Sequence, residues 1–197
     1  MSDESVPDMD LARMEQAVRE LILGMGEDPD RPGMKGTPGR VARMYAELAH
    51  GLYVDPRKHL RSYFPEDYDE IVCLRNIPFH SICEHHLMPF VGQAHVAYLP
   101  SKRVVGVSKL ARVIETLAHR PQVQERLTKQ IADLLDEELQ ARGVAVMMEA
   151  SHTCMTVRGV HKPGSVMVTS AIRGLFRNNL ASRNEVISLL HGFSPNV

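Results

Sequence analysis

Cys83 and His86 stand three residues apart in the segment SICEHHL. A soft thiolate beside a borderline imidazole is a pairing that zinc accepts readily, and residues three apart share one side of a helical turn. Two ligands do not hold a metal firmly. Cys154, in the strand-like SHTCM, is the cysteine that lies near further polar residues of the right chemistry. Two cysteines and one histidine leave a fourth position open for water, the arrangement of catalytic rather than closed structural zinc. Ser81 and Glu84 match a capping box, which predicts a helix starting at Ser81 with Cys83 in its first turn, near free N–H groups that favour a thiolate. The bland alternative is that Cys83 and Cys154 are buried thiols packing as small hydrophobes, the role expected of Cys73 inside the apolar IVCL.

His85 adjoins His86, so it should point away from the ligand yet stay close to the open position. His152 precedes Cys154 by two, and in an unbroken strand both side chains emerge on one face. Two imidazoles there can take and return protons at neutral pH, although each could equally be a packing or metal-supporting histidine. His95, His119, His161 and His191 lack such company and read as ordinary surface or sheet residues. Ser108, Lys109 and Arg112 open a helix where free N–H groups and cations could jointly hold an anion, and Arg158 keeps strand parity with His152 and Cys154. A phosphate-bearing substrate is one reading of this group; solvated charges paired with nearby acids are the other. Glu125 is open to two readings as well: an ion pair with Lys129 one turn on, or a pocket carboxylate suited to adjacent N–H donors such as a guanine edge.

The elements that position these residues follow from periodicity. An amphipathic helix is predicted from about Asp8 to Met25 behind an acidic mobile tail, and a second starts with Thr37 as cap and Pro38 at its first position. A boundary falls near residue 65, separating a helical extension, 1–65, from a main domain, 66–197. There, two strands are followed by a helix from Ser108 to about His119 and a longer one starting at Pro121, with Val123, Leu127, Ile131, Leu134 and Leu135 along a stripe. Two further strands follow, through SHTCMTVRG and SVMVTSAIRG, and a last helix carries a capping box at Ser182 and Glu185. Strand pairs flanking a helical pair favour an α+β fold, a mostly antiparallel sheet with helices on one face.

The 197-residue, 22.1 kDa chain has room for one compact domain and a helical appendage. Its 44% hydrophobic and 24% charged residues exclude wholesale disorder, and a net charge of -1 gives no overall pull toward nucleic acid or an anionic membrane. There is no apolar run of membrane-spanning length and no secretion signal, so a cytoplasmic location is expected. Three cysteines are too few, and odd in number, for a disulfide scaffold.

Together the stretches GEDPDRPGMKGTPGRVARMY, SICEHHLMPFVGQAHVAYLP, VVGVSKLARVIE, RPQVQERLTKQIAD, EASHTCMTVRG and KPGSVMVTSAIRG resemble the GTP cyclohydrolase I family over roughly residues 11–191. The resemblance implies zinc held by Cys83, His86 and Cys154, and activated water adding to C8 of the guanine of GTP. Formate then leaves and 7,8-dihydroneopterin triphosphate forms, the first step toward tetrahydrofolate or tetrahydrobiopterin. It also implies proton transfer by His85 and His152, a purine anchor at Glu125, and a triphosphate grip from Ser108, Lys109, Arg112 and Arg158, with Arg40 reaching in from a neighbouring subunit. The implied architecture is the tunnelling fold: a four-stranded antiparallel sheet with two long inserted helices, five subunits to a barrel and two pentamers to a decamer with interfacial sites. Met167 stands where the family often has threonine and is expected in the core. The competing readings are a structural zinc protein with a closed four-ligand site, His85 or His152 being the extra ligand, and a related-fold pterin synthase or deazaguanine reductase, which leaves the combined Cys83, His86 and Cys154 set without an explanation.

Overall fold

The computed structural model describes residues 9–101 and 103–192, so the acidic tail expected ahead of the first helix lies outside the described residues. Helix α1 (Leu11–Gly24) starts where the Asp10 side chain accepts from the Arg13 N–H at 2.8 Å. Helix α2 (Thr37–Leu48) has Gly36 as its cap; Thr37 lies inside the first turn, where its Oγ1 accepts from Arg40, rather than capping it. Two 3-10 turns, His50–Tyr53 and Pro56–Leu60, lead into the short strand β1 (Tyr63–Phe64).

The long strands β2 (Val72–Cys83) and β3 (Pro89–Leu99) pair antiparallel, with an irregularity between Leu74 and Ile77. Strand β4 (Val104–Val105) pairs with β1, and helix α3 (Val107–Ala118) follows. Residues Pro121–Gln122 form β5, a two-residue strand parallel to the end of β2, and helix α4 (Gln124–Leu139) begins only after Val123. The sequence placed this helix start at Pro121, but the proline φ suits an extended residue as well as a first helical turn, and Val123 is itself extended. Strand β6 (Gly143–His152), helix α5 (Thr153–Thr156), strand β7 (Met167–Gly174), helix α6 (Leu175–Asn178) and helix α7 (Leu180–His191) complete the chain. Asn179, not Ser182, caps α7: its side chain accepts from the Ser182 N–H at 2.9 Å.

The main sheet has the order β5-β2-β3-β6-β7, five strands where four were expected, because β5 adds a short parallel edge. Strand alternation divides its two faces. Val96, Tyr98, Val144, Val146 and Met148 pack against Leu110, Val113 and Ile114 of α3 and Leu127, Ile131 and Leu135 of α4. Ala97, Leu99 and Ala145 point the other way, onto Phe176, Val186 and Leu190 of α6 and α7. The helices therefore cover both faces rather than one. Small alanines on the second face let α6 and α7 approach closely, and Cys73 packs at the margin of that cluster with its thiol pKa raised by burial. No helix among the described residues is long and apolar enough to cross a membrane.

Candidate active site

Strand β2 runs through Ser81 and ends at Cys83, so the helix predicted to start at Ser81 is absent. The Ser81 hydroxyl instead donates to the Ala118 carbonyl at 2.6 Å, tying β2 to the end of α3. A tight turn follows: the N–H groups of His86 and Leu87 both donate to the Cys83 carbonyl, and the Cys83 N–H donates to Met88 O at 2.8 Å. Leu87 takes a left-handed φ of 53°. The turn does what the helical turn was expected to do, placing His86 Nδ1 3.9 Å from Cys83 Sγ.

Cys154 arrives from the far side of the sheet. In the β3–β6 register Phe90 faces His152, which brings the end of β6 beside the start of β3. The chain then leaves the strand in α5, where the Thr153 hydroxyl donates to Pro89 O at 2.5 Å. The unbroken strand expected through Cys154 is therefore wrong, and with it the parity argument for Arg158. Even so, ligand atoms of Cys83, His86 and Cys154 all lie within 4.8 Å of one another. Donors about 2.1–2.3 Å from a central ion stand roughly 3.5–4 Å apart in a tetrahedral site, so the trio fits zinc. Burial raises the Cys154 thiol pKa and the neighbouring Cys83 raises it further, while Arg158 acts in the opposite direction. A thiol whose ionisation is disfavoured in this way is the setting a divalent cation reverses.

His152 is held on two sides. Its ring stacks on Phe90 at 4.5 Å with an interplanar angle of 6°, and its Nε2 lies 2.9 Å from Gln124 Oε1. Gln124 is almost fully buried, and its amide nitrogen sits 3.1 Å from Met148 O, 3.0 Å from Met167 O and 3.0 Å from Thr169 Oγ1. Exchanging its oxygen and nitrogen would press Oε1 against two carbonyls, so the amide orientation is settled and Oε1 is an acceptor. His152 must then carry its proton on Nε2, which leaves Nδ1 with the lone pair in the neutral ring. Burial lowers the His152 pKa and the Glu125 carboxylate partly opposes this. Sequence reasoning missed Gln124, although it lies three residues before Leu127 and seven before Ile131, on the buried stripe of α4. Met167, expected in the core, is half-buried at the start of β7 and serves through its carbonyl.

His85 is exposed, with Nε2 3.9 Å from Glu84 Oε1. Glu84 also pairs with Arg126, whose guanidinium holds that carboxylate below its usual range and whose Nε donates to Gln122 Oε1 at 2.9 Å. The turn is thus tied to β5 and α4 beside it.

Of the remaining candidates, Glu125 and Arg158 are near enough to act electrostatically on His152 and Cys154. Gly106 offers α3 no side-chain cap, so its first N–H groups are left near the exposed Ser108. Lys109 and Arg112 line a cavity of about 500 Å³ with His50, Lys58, His59 and Glu115. Glu125 borders a different one, of about 390 Å³, with Lys129, Arg173 and Arg177. Its expected partner Lys129 is engaged elsewhere, 2.5 Å from Asp133. Arg158 and Arg40 are exposed, and Arg40 donates to Thr37 Oγ1 at 2.8 Å.

His119 was expected to be an ordinary surface or sheet residue, yet it is buried at the end of α3. Its Nε2 is 2.8 Å from His80 Nε2, and burial, with His50 and His80 nearby, pushes its pKa down to about 4. The helical pattern ends at Ala118, and a polar residue just past it carries no sign of burial in the sequence.

The model of GTP cyclohydrolase I matches residues 14–191, a span holding the Cys83, His86 and Cys154 trio and both flanking histidines. The chain belongs to the GTP cyclohydrolase I family. It is 58% identical over 191 residues to the GTP cyclohydrolase 1 of Rhodopirellula baltica, covering 96% of this chain and 83% of that one. It is 57% identical over 184 residues to that of Pelotomaculum thermopropionicum, covering 93% of this chain and 98% of the relative. The GTP cyclohydrolase 1 of Clostridioides difficile is 56% identical over 184 residues, covering 92% and 97%. Among solved structures, the apo archaeosine synthase QueF-Like aligns with 53% of this chain and 93% of its own at a TM-score of 0.45 and 15% identity. The family assignment rests on the sequence relatives alone.

Proposed function

We propose that this chain is a zinc-dependent GTP cyclohydrolase I that opens the guanine ring of GTP at C8, releases formate and forms 7,8-dihydroneopterin triphosphate in the cytoplasm. The observation that carries the reading is the convergence of Cys83, His86 and Cys154 within 4.8 Å, beside a His152 oriented by Gln124. Those three residues would hold the ion. Bound zinc supplies Lewis acidity, which lets water act as a nucleophile at neutral pH.

The other steps belong to side chains. With Nε2 donating to Gln124, His152 presents Nδ1 to accept a proton and later return it. His85, on the turn that carries the ligand histidine, serves as the second proton carrier. The Glu125 carboxylate accepts from the adjacent N–H donors of the guanine edge, and Ser108, Lys109, Arg112, Arg158 and Arg40 hold the triphosphate.

Lys109 and Glu125 border separate cavities in one chain, which supports a site completed between subunits. The reading includes the tunnelling fold, with residues 66–197 as the catalytic body and 1–65 as a helical extension, assembled as a decamer of two pentamers. The test is formate release from GTP with and without a chelator. Zinc-loaded protein that yields neither formate nor an oxidisable fluorescent pterin would sink the assignment.

A further inference from the structure

The cavity beside α3 holds more basic groups than the grip just described. Lys109 and Arg112 form one wall, and His50, Lys58 and His59, from the two 3-10 turns, form the other, with Glu115 the acidic member. Arg57, next along the turn, is directed elsewhere, pairing with Glu137 and Glu138 of α4. His59 is half-buried, and its Nε2 sits 2.9 Å from the Thr116 hydroxyl. A hydroxyl can donate to a neutral ring nitrogen or accept from a protonated one, so this bond survives a change of charge. That bond engages Nε2, so Nδ1 is the ring nitrogen an anion in the cavity could meet.

The field at this ring depends on what fills the cavity. Without an anion, burial and then the cations Lys58, Arg112 and Lys109 lower the His59 pKa, and Glu115 opposes them. A polyphosphate would outweigh those cations and reverse the field, favouring the imidazolium and adding a charge-assisted hydrogen bond from Nδ1.

We propose that His59 is a further polyphosphate-contacting residue of this cavity and that it takes up a proton when the anion enters. This rests on the reading of Lys109 and Arg112 as the triphosphate grip. Binding would then tighten as pH falls toward the ordinary histidine range.

The test uses the zinc-loaded full chain and inorganic triphosphate as the probe. Calorimetric titration in two buffers of different ionisation enthalpy, for wild type and His59→Gln, reads the protons taken up by the protein. Wild type is expected to take up a larger fraction of a proton, and His59→Gln to bind roughly three- to tenfold more weakly at pH 6.5, the gap closing by about pH 8.5. Labelled-histidine NMR of wild type gives a check that needs no variant: His59 should move to the imidazolium form as triphosphate is added. Equal proton uptake and affinity in the two proteins, or an unmoved His59 signal, would overturn the inference. Formate release measured on the same preparation separates the two readings. Turnover with a silent His59 overturns this inference alone, and a responding His59 supports it even if GTP is not opened.

Discussion

Cys83, His86 and Cys154 share one small volume, and the roles proposed for them differ from those proposed for the histidines beside them. Cys154→Ser should remove zinc and formate release together, read as metal stoichiometry and turnover on one sample. His85→Ala should keep zinc while turnover falls by roughly 10²–10⁴, the usual range for a lost proton carrier; unchanged turnover would remove that role. Gln124 acts through His152. Gln124→Leu deletes the acceptor for Nε2 and strands the Met148 and Met167 carbonyls, an expected cost of about 2–4 kcal/mol in denaturant unfolding together with reduced turnover. In wild type, nitrogen NMR should find the Nε2–H tautomer of His152; the Nδ1–H form would contradict the amide geometry.

The elements set these residues by register. Gly92 lies in β3 facing Ala150 of β6, two pairs from the Phe90–His152 contact, and a Cβ there would sit 1.9 Å from Glu149 O. Gly92→Ala should therefore spread β3 from β6, lowering stability by more than about 3 kcal/mol and weakening metal retention in equilibrium dialysis. The end of α3 carries a pH dependence. His119 has a pKa of about 4 when folded against 6.5 for an unhindered histidine, so the unfolded chain binds more protons between those values. Its contribution is complete above about pH 6.5 and is lost as pH falls toward 4, up to roughly 3 kcal/mol. Wild type should lose Tm across that window, and His119→Leu should flatten the loss; parallel profiles would exclude His119 as the source.

At the scale of the whole molecule, one chain leaves obligations unmet. Strand β7 is the outer strand of the sheet on one side, and Val168 on it is 58% exposed. Leu21 in helix α1 is 62% exposed, and Met25 just past its end is 66% exposed. In the decamer proposed above, association would pair that strand edge and cover those apolar positions. Val168→Lys should lower the mass seen by light scattering and abolish formate release while zinc stays bound, since the Cys83 trio lies within one chain. Retained activity in a monomer would overturn the interfacial site.

The sequence by itself determined the donor chemistry. Residue type and short spacing singled out Cys83, His86 and Cys154, and the α+β order of elements was legible from apolar periodicity. Its local conformations were less secure. Cys83 ends a strand and Cys154 opens a helical turn, the reverse of the expected settings, because pairing between distant strands overrides capping signals. Only the tertiary structure decided that Gln124 orients His152, that His119 is buried against His80, and that His59 faces Lys109 and Arg112. Side-chain chemistry belongs to the residue, whereas orientation and burial come from contacts between segments far apart in the chain.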